Sequence, residues 1–229
     1  MKIETRPMPF SAELVEASKR GDKTHTRRIM MPQPAYAQAV MYDGHATSAY
    51  HWPDSNPQFR AMAEIAKDCP HGKPGDLRWV QEPYRVVARD KGPGQRWGYL
   101  ATVRYASDGI ENVCVISDRC RDKPSARPRT SNMPGRFMSR WASRYTLRIV
   151  SVKCEKIQSM DRAAAFLEGC PREIAGPDGD IRAAHEWFVR VWDSTTNKPA
   201  HKYAANPWVY DIAYEFINAP VWLVRGGAG

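Results

Sequence analysis

Hydrophobic and polar side chains alternate most clearly between residues 143 and 155. Three apolar residues alternate with polar ones and, after a change of phase, three more do so: Tyr145, Leu147 and Ile149, followed by Val150, Val152 and Cys154. A period of two residues is typical of a strand with one buried face. The change of phase predicts a β-bulge or a bend from one sheet to another, which tightly curved small barrels need.

Shorter patterns predict the other strands and helices. Strands are predicted at Asp76–Glu82, Trp97–Tyr105 and Trp208–Ile217. Helices are predicted from a cap at Ser11 to Gly21, from Asp161 to Glu168, and from Asp178 or Asp180 through Trp192. The last helix carries an apolar stripe at helical spacing, which we interpret as core: Ile181, Ala184, Phe188, Val191 and Trp192. Because these elements lack a strand–helix–strand rhythm, we predict an α+β domain built on a small curved sheet or barrel with flanking helices.

Two stretches show no clear period. Residues about 32–68 and about 106–136 are predicted to be long loop insertions, with a short helix at Ala61–Lys67 in the first of them. Residues 226–229 are expected to form a flexible tail. The chain from residue 1 to residue 225 is predicted to be a single domain, long enough to bury a sizeable core.

The charge of the chain favours a polyanionic partner. The formal net charge is +9, and 42% of the residues are hydrophobic, as in ordinary globular proteins. Much of the positive charge lies between residues 119 and 148, where nine basic residues accompany one acid, Asp122. A second basic cluster lies between Lys19 and Arg28. This distribution is the kind of electrostatic footprint that nucleic-acid-binding proteins carry.

Several classes of protein are disfavoured by the sequence. The N-terminus lacks the apolar core of a signal peptide, and no apolar run reaches the length of a membrane span. We therefore expect a soluble protein of the cytoplasm. The five cysteines include no C-x-x-C pair, which argues against a disulfide framework or a zinc ribbon. Cys69 and His71 could supply two metal ligands, but no second pair follows at a usual spacing, and we expect no metal and no cofactor.

The segment from Gly21 to Arg28 holds the densest polar chemistry, with a lysine, two threonines, a histidine and two arginines in a row. Gly21 suits the end of a helix, after which the chain would be extended. Side chains alternate in an extended chain, so Thr24, Thr26 and Arg28 would share one face. Lys23, His25 and Arg27 would share the other. The segment is either a solvated basic edge or a site for an anionic or base-like ligand.

Aromatic and charged residues recur in two later blocks. Glu82 follows Trp79, and it could pair with a base edge or form an ion pair with Arg28 or Arg140. Arg140, Trp141 and Arg144 form a cation–aromatic–cation pattern that suits phosphate contact and base stacking, although Trp141 could equally be a core residue.

Several separated motifs together resemble one family. They are Arg6-Pro7-Met8-Pro9-Phe10-Ser11, the segment from Gly21 to Arg28 with Pro32-Gln33-Pro34, the block Cys69–Glu82, Met138-Ser139-Arg140-Trp141-Ala142-Ser143-Arg144, Glu168-Gly169, Trp192-Asp193-Ser194 and Asn206-Pro207-Trp208-Val209-Tyr210. In order along residues 6 to 217, they look like an ASCH-domain protein of the PUA-like superfamily, in the long form common in phages and prophages. The resemblance implies a PUA-like pseudo-barrel whose cleft holds RNA, a nucleotide or a modified base, in the cytoplasm of the host cell if a phage encodes it.

The resemblance also implies candidate catalytic residues. Some small ASCH proteins are amidohydrolases that remove the acetyl group from N4-acetylcytidine, and the positions that match theirs are Lys23, Thr26 and Glu168. A threonine hydroxyl needs a base, which a lysine of lowered pKa could provide. In a fully extended segment Lys23 and Thr26 would lie on opposite faces, so a turn must bring them together. Glu168 could instead be a surface carboxylate at a helix end, and Lys23 a solvated cation.

Three functions are compatible with the sequence. The first is an amidohydrolase of N4-acylated cytosine nucleosides, in which Lys23 activates Thr26, Glu168 assists proton transfer and Arg28 holds the site together. The second is a non-catalytic protein that binds RNA, single-stranded nucleic acid or a modified base. Its contacts, like those that hold a substrate, would come from Thr24, Arg28, Glu82, Arg140, Trp141 and Arg144. The third is a metal-independent ribonuclease that uses His25 or His71.

Overall fold

The chain is α+β in the computed structural model, which describes residues 5–34, 36–42, 45–51, 60–91, 98–120 and 122–226. The strands are β1 Thr5–Pro9, β2 His25–Ile29, β3 Tyr36–Tyr42, β4 His45–His51, β5 Arg60–Ala61, β6 Leu77–Gln81, β7 Tyr84–Asp90, β8 Tyr99–Tyr105, β9 Glu111–Ile116, β10 Thr146–Lys156 and β11 Trp208–Ile217. The helices are α1 Ala12–Lys19, α2 Met62–Lys67, α3 Ala164–Leu167, α4 Arg172–Ala175, α5 Ile181–Ser194 and α6 Val221–Gly226. Within the described residues, none of these helices is long and apolar enough to cross a membrane.

The chain divides into two compact units. The first comprises Met1–Arg20, Leu77–Leu147 and Phe216–Gly229, and the second comprises Gly21–Asp76 and Arg148–Glu215. The prediction of one domain over residues 1–225 stays a prediction.

The first unit contains a parallel strand pair and an antiparallel sheet. Strand β1 pairs with β6 in parallel, and β7, β8 and β9 form an antiparallel sheet in that order, with a register irregularity in β7. Ala101, Val103 and Tyr105 lie buried on one face of β8, as their alternation predicts. They pack in one hydrophobic cluster with Tyr84 and Val86 of β7, which accounts for the stability of this sheet.

The second unit is built from β2, β10 and β11 with helix α5. Strand β11 pairs with β2 in antiparallel fashion and lies between β2 and β10. The predicted apolar stripe of α5 is confirmed as core at Ala184, Phe188 and Trp192, but it is wrong at Ile181, which is exposed in the first turn of the helix. Asp180 rather than Asp178 begins the helix, since its carboxylate accepts hydrogen bonds from the first-turn N–H groups of α5.

The structure corrects several predictions about local order. Residues about 32–68 were expected to form a loop, but they contain the antiparallel strands β3, β4 and β5 and helix α2. Residues about 106–136 were also expected to form a loop, but they contain strand β9 and short 3-10 turns. Cross-strand pairing stabilises these segments, and a period in the sequence is not required for it.

Two further predictions are affected by the described structure. Gly226 belongs to α6 rather than to a tail, and residues 227–229 lie outside the described residues. In β10, Leu147 and Ile149 are buried as expected, but Val150 is exposed, so the change of phase does not carry the buried face to Val150. No sheet among the described residues closes into a barrel; the α+β class is confirmed, and the PUA-like barrel stays a prediction.

Candidate functional site

The polar segment after α1 is held by hydrogen bonds within the second unit. Gly21 adopts φ +81°, the left-handed conformation that a glycine allows at low cost. The backbone N–H of Thr24 then donates to the carbonyl of Leu167 at 2.9 Å, and Thr24 O accepts from the N–H of Tyr214 at 2.9 Å. Lys23 and Glu168 consequently form an antiparallel β-bridge. The extended chain predicted after Gly21 is confirmed, with β2 beginning at His25.

Lys23 is one of the most buried charged residues in the described structure, with 2% of its surface exposed. Its Nζ donates to Glu168 Oε2 at 2.8 Å, to Glu168 O at 3.0 Å and to His25 O at 2.7 Å. An ammonium has three N–H donors, and each has an acceptor here. Burial lowers the pKa of Lys23, and the nearby Glu168 carboxylate opposes that shift.

The carboxylate of Glu168 joins Lys23 to a larger ion-pair cluster. Its other oxygen, Oε1, accepts from Arg27 Nη1 at 3.0 Å. Arg27 also donates from Nε to Glu155 at 2.8 Å, and its Nη2 lies 3.4 Å from Asp211 Oδ2. Two cations and three carboxylates therefore share a mostly buried environment, in which charged groups interact more strongly than at the surface.

Asp211 is the member of this cluster whose carboxylate is not fully hydrogen-bonded. Its Oδ1 is buried and accepts no hydrogen bond from any described residue. Burial raises the pKa of Asp211, and Arg27 only partly offsets this effect. Sequence reasoning missed Asp211, Glu155 and the role of Arg27. The alternation that puts Lys23 and Arg27 on one face was a usable signal for Arg27, whereas no local pattern indicates the two acids.

Thr26 lies on the other face of β2. It pairs with the fully buried Ile212 of β11, whereas the next residue, Arg27, pairs with Asp211. Neighbouring residues of a strand point to opposite faces, so Thr26 is directed away from the ion-pair cluster. The Thr26 hydroxyl forms no hydrogen bond with Lys23, Glu168 or any other described residue. The structure brings together two of the three predicted catalytic residues.

Thr24, Arg28 and His25 complete the predicted positions of this segment. Thr24 Oγ1 lies 3.0 Å from His25 Nδ1, a hydrogen bond in which either group can donate. Arg28 pairs with Tyr210 across the strands, and burial lowers the pKa of its guanidinium. The ring of His71 packs edge-on against Tyr210 at a centroid distance of 6.2 Å. His25 and His71, the histidines proposed for a ribonuclease, thus each contact a residue of the second unit: Thr24 and Tyr210, respectively.

Glu82 and Arg144 form a separate ion pair in the first unit. Arg144 donates from Nε to Glu82 Oε1 at 2.9 Å and from Nη2 to Oε2 at 3.0 Å. Ser107 donates to the same carboxylate at 2.6 Å, and Asp108 lies 2.8 Å from Arg144 Nη1. The sequence offered Arg28 or Arg140 as the ion-pair partner of Glu82; the partner in the structure is Arg144.

Arg140 and Trp141 are differently placed, although they are close in sequence to Arg144. They lie in a 3-10 turn, Arg140–Ala142, that is anchored by hydrogen bonds from Tyr105 Oη to Ala142 O and from Ser143 Oγ to Val80 O. Trp141 is half-buried and Arg140 is exposed. Arg140 has no acidic partner among the described residues, so its charge is accessible.

Comparisons with known proteins leave the family undecided. Protein-family models, curated proteins and solved structures were searched, and none matches the chain significantly. Among the described residues, no group of three or more His, Cys, Asp or Glu side chains could hold a metal ion. The geometry of the residues themselves therefore has to support any function.

Proposed function

We propose that this protein is a nucleoside-directed member of the ASCH family with a PUA-like fold, and that it removes the acyl group from N4-acylated cytosine. The observation that carries the proposal is the buried contact between Lys23 and Glu168. These residues are 145 positions apart, and the resemblance assigns both to catalysis. A hydrogen-bonded lysine and carboxylate, both shielded from water, form a pair between which a proton can move.

The proposed reaction uses this pair as base and acid. Lys23 passes a proton to Glu168 across the 2.8 Å contact, which leaves a neutral amine beside a carboxylic acid. The Thr26 side chain, which faces away from Lys23 in the structure, must then turn toward the amine, which takes its hydroxyl proton as Oγ1 attacks the amide carbonyl carbon. Glu168 then protonates the departing N4 amine, so that cytidine leaves and an acyl-threonine ester remains. Water hydrolyses the ester, releases the carboxylic acid and restores the hydroxyl of Thr26.

The protonation state of Lys23 is the main electrostatic requirement of this scheme. Burial lowers the pKa of Lys23, which favours the neutral amine that the reaction needs. A neutral amine has two N–H donors and one lone pair. After the transfer its lone pair accepts from the protonated Glu168, so the amine can act on Thr26 only when it leaves that contact and the Thr26 side chain turns toward it.

The decisive experiment replaces the hydroxyl of Thr26 without changing its shape. Purified protein is incubated with N4-acetylcytidine, and the formation of cytidine and acetate is followed by chromatography. Thr26→Val is expected to abolish turnover while the fold is retained, because valine is isosteric and the lost hydroxyl has no hydrogen-bond partner. Thr26→Ser is expected to retain activity, since it keeps a nucleophilic hydroxyl.

Lys23→Met tests the base, with Glu155→Gln as its matched control. Both substitutions remove one charge from the same ion-pair cluster, but Glu155 contacts Arg27 and not Lys23. Lys23→Met is expected to lower kcat by about 10²- to 10⁴-fold, the usual contribution of a general base. Glu155→Gln is expected to leave kcat within a few-fold of the wild type. Undiminished turnover in Thr26→Val, or no turnover by the wild-type protein at high concentration, contradicts the proposal.

Binding without chemistry is the second candidate. It is favoured by two specific observations: all three Lys23 donors are occupied, and Thr26 lies on the opposite face of β2. This candidate predicts that N4-acetylcytidine binds unchanged and that Thr26→Val binds it as tightly as wild type. Labelled RNA incubated in the presence of chelator with the wild type, His25→Ala, His71→Ala and Lys23→Met tests the ribonuclease hypothesis, which requires cleavage that depends on His25 or His71.

A further inference from the structure

A tryptophan-rich pocket lies within the first unit. It has a volume of about 610 Å³, within the range of small-molecule sites. The lining residues that matter for its chemistry are three tryptophans, two cations and an amide: Trp79, Trp141, Trp222, Lys123, Arg140 and Gln81. This combination of flat aromatic surface and positive charge differs from the closed ion-pair cluster of the second unit.

The aromatic walls come from three different elements. Trp79 lies on β6 and is largely buried, so it can form the inner wall. Trp141 belongs to the 3-10 turn that follows the arginine-rich stretch. Trp222 lies on α6 with 44% of its surface exposed, so it can cover a ligand from the outside. Aromatic rings of this kind provide stacking surfaces that accept any nucleobase.

The charge of the pocket is positive and unbalanced. Lys123 and Arg140 are both exposed, and neither forms an ion pair with a described residue. No acidic residue is among the described residues that line the pocket. Arginine and lysine side chains with free donors beside a stacking surface are suited to a phosphate group.

One polar group of the pocket wall lacks a partner. The Nε1–H of Trp141 is buried and donates to no described residue. Buried donors without an acceptor are uncommon in folded proteins and call for a specific reason. Because this nitrogen is buried, a ligand in the pocket reaches it only if the ring turns.

The wall of the pocket is held rigidly against β6. The side chain of Gln81 donates to the carbonyl of Met138 at 2.9 Å, and Ser143 Oγ donates to Val80 O at 2.8 Å. Gly135 packs so closely that a Cβ atom there would lie 2.9 Å from the backbone oxygen of Gln81. A site that is rigid before binding loses little conformational entropy when a ligand enters.

We propose that this pocket binds a nucleotide, with the base against the tryptophans and the phosphate on Arg140 and Lys123. The site is independent of the proposed hydrolysis, because it uses no residue of the Lys23–Glu168 pair. Three aromatic walls favour a base over an acidic peptide, and two unpaired cations favour a phosphorylated ligand over a free nucleoside. The same chemistry serves a free nucleotide and a nucleotide within a single strand.

The test compares AMP with adenosine on the full-length protein by isothermal titration calorimetry. A purine is chosen because the proposed hydrolase site is directed at cytosine. AMP is expected to bind about tenfold or more tightly than adenosine at low salt, and the difference should shrink as salt is added. Arg140→Ala and Lys123→Ala should each remove most of the difference. Arg182→Ala is the matched control, because Arg182 is an exposed arginine of the second unit that does not line the pocket.

Tryptophan variants test the stacking surface. Trp222→Ala is expected to weaken AMP and adenosine alike, by about 5- to 100-fold, which is the range for one stacked base. Because Trp222 is substantially exposed, the variant should fold. Trp141→Phe keeps a smaller ring, so it should weaken AMP and adenosine alike and by less than Trp222→Ala does.

The outcomes of these titrations either support or overturn the proposed nucleotide site. Equal affinity for AMP and adenosine, equal loss in Arg140→Ala and Arg182→Ala, or no AMP binding up to about 10 mM would overturn the proposal. Oligoadenylates of one, four and eight nucleotides distinguish the source, since affinity that rises steeply with length indicates a single strand. AMP binding that survives in Lys23→Met, whatever its deacetylase activity, separates this site from the proposed hydrolase.

Discussion

Arg144→Lys tests whether the arginine that follows the Arg140–Ala142 turn acts as a structural residue. Its guanidinium binds the carboxylate of Glu82 through two parallel N–H···O bonds, and it also donates to Ser107 Oγ at 2.8 Å and Asp108 Oδ1 at 3.0 Å. Glu82 is 1% exposed, so its carboxylate is hydrogen-bonded by these donors and hardly by solvent. A lysine keeps the positive charge but cannot form the paired, planar contact.

The magnitude follows from the bonds that a lysine cannot replace. At least one bond to Glu82 and one to the Ser107–Asp108 pair are lost, and hydrogen bonds to charged groups contribute about 1.5–3 kcal/mol each. The guanidinium carbon of Arg144 also lies 3.9 Å from the ring centroid of Tyr105, a cation–π contact that an ammonium would make less well. Because the charge of the lysine still attracts the two carboxylates, we expect the free energy of unfolding to fall by about 2–4 kcal/mol in Arg144→Lys.

Urea denaturation measures the loss, and Arg148→Lys is the control. Arg148 pairs with Glu215 at 2.7 Å, but about half of each side chain is exposed, and such pairs contribute about 0–1 kcal/mol. Arg148→Lys should therefore change the unfolding free energy by less than about 0.5 kcal/mol. If Arg144→Lys costs no more than Arg148→Lys, the structural role assigned to Arg144 is wrong, and its contacts with Glu82 and Asp108 do not stabilise the fold.

The pH dependence provides a second readout of the same network. Burial would raise the pKa of Asp108, but hydrogen bonds from Arg144 and from the backbone N–H of Ile110 outweigh it, and the pKa lies below its usual range. A carboxyl group of lowered folded-state pKa stabilises the protein above its unfolded pKa of about 4 and loses that effect as the pH falls through the folded value. The stability difference between wild type and Arg144→Lys should therefore shrink in acid.

Three further predictions concern single positions. Gly135→Ala should destabilise the protein by about 1–3 kcal/mol in urea, because the new Cβ lies 2.9 Å from the backbone oxygen of Gln81 and the close packing there must open. Burial raises the folded-state pKa of Asp211 above its unfolded value of about 4, so the wild type loses stability as the pH rises from about 4 through the folded-state pKa. The melting temperature of Asp211→Asn should therefore exceed that of the wild type at pH 7 and equal it below about pH 4. Asp180→Ala should cost about 0.5–2 kcal/mol by removing the cap of α5, whereas Asp178→Ala should be neutral.

The sequence predicts elements well where one face is continuously buried. The alternation in β8 and the helical stripe of α5 identify their buried residues, because periodicity reports directly which face meets the core. Strands β3 and β4 were missed because their residues lack a run of β-branched side chains, and strands of this kind depend on pairing with each other. The α+β class was therefore predictable, while the number of strands was not.

The candidate site was predictable only in part, for a related reason. Alternation places Lys23 and Arg27 on one face, but Glu168 lies 145 residues away, and only the resemblance to a family pointed to it. The carboxylates of Glu155 and Asp211 reach Arg27 through pairing of distant strands. Partners that meet through tertiary structure leave no local pattern in a single sequence.

The two kinds of cation in this chain differ in what they can still bind. Lys23 and Arg144 have carboxylate partners, so an incoming phosphate would have to compete with a neighbour that is already in contact. Arg140 and Lys123 have no such partner in the described structure, and binding a phosphate breaks no ion pair there. The excess charge of +9 is therefore available to a polyanion at positions like these, and the salt dependence of binding should follow Arg140 and Lys123 rather than the buried cations.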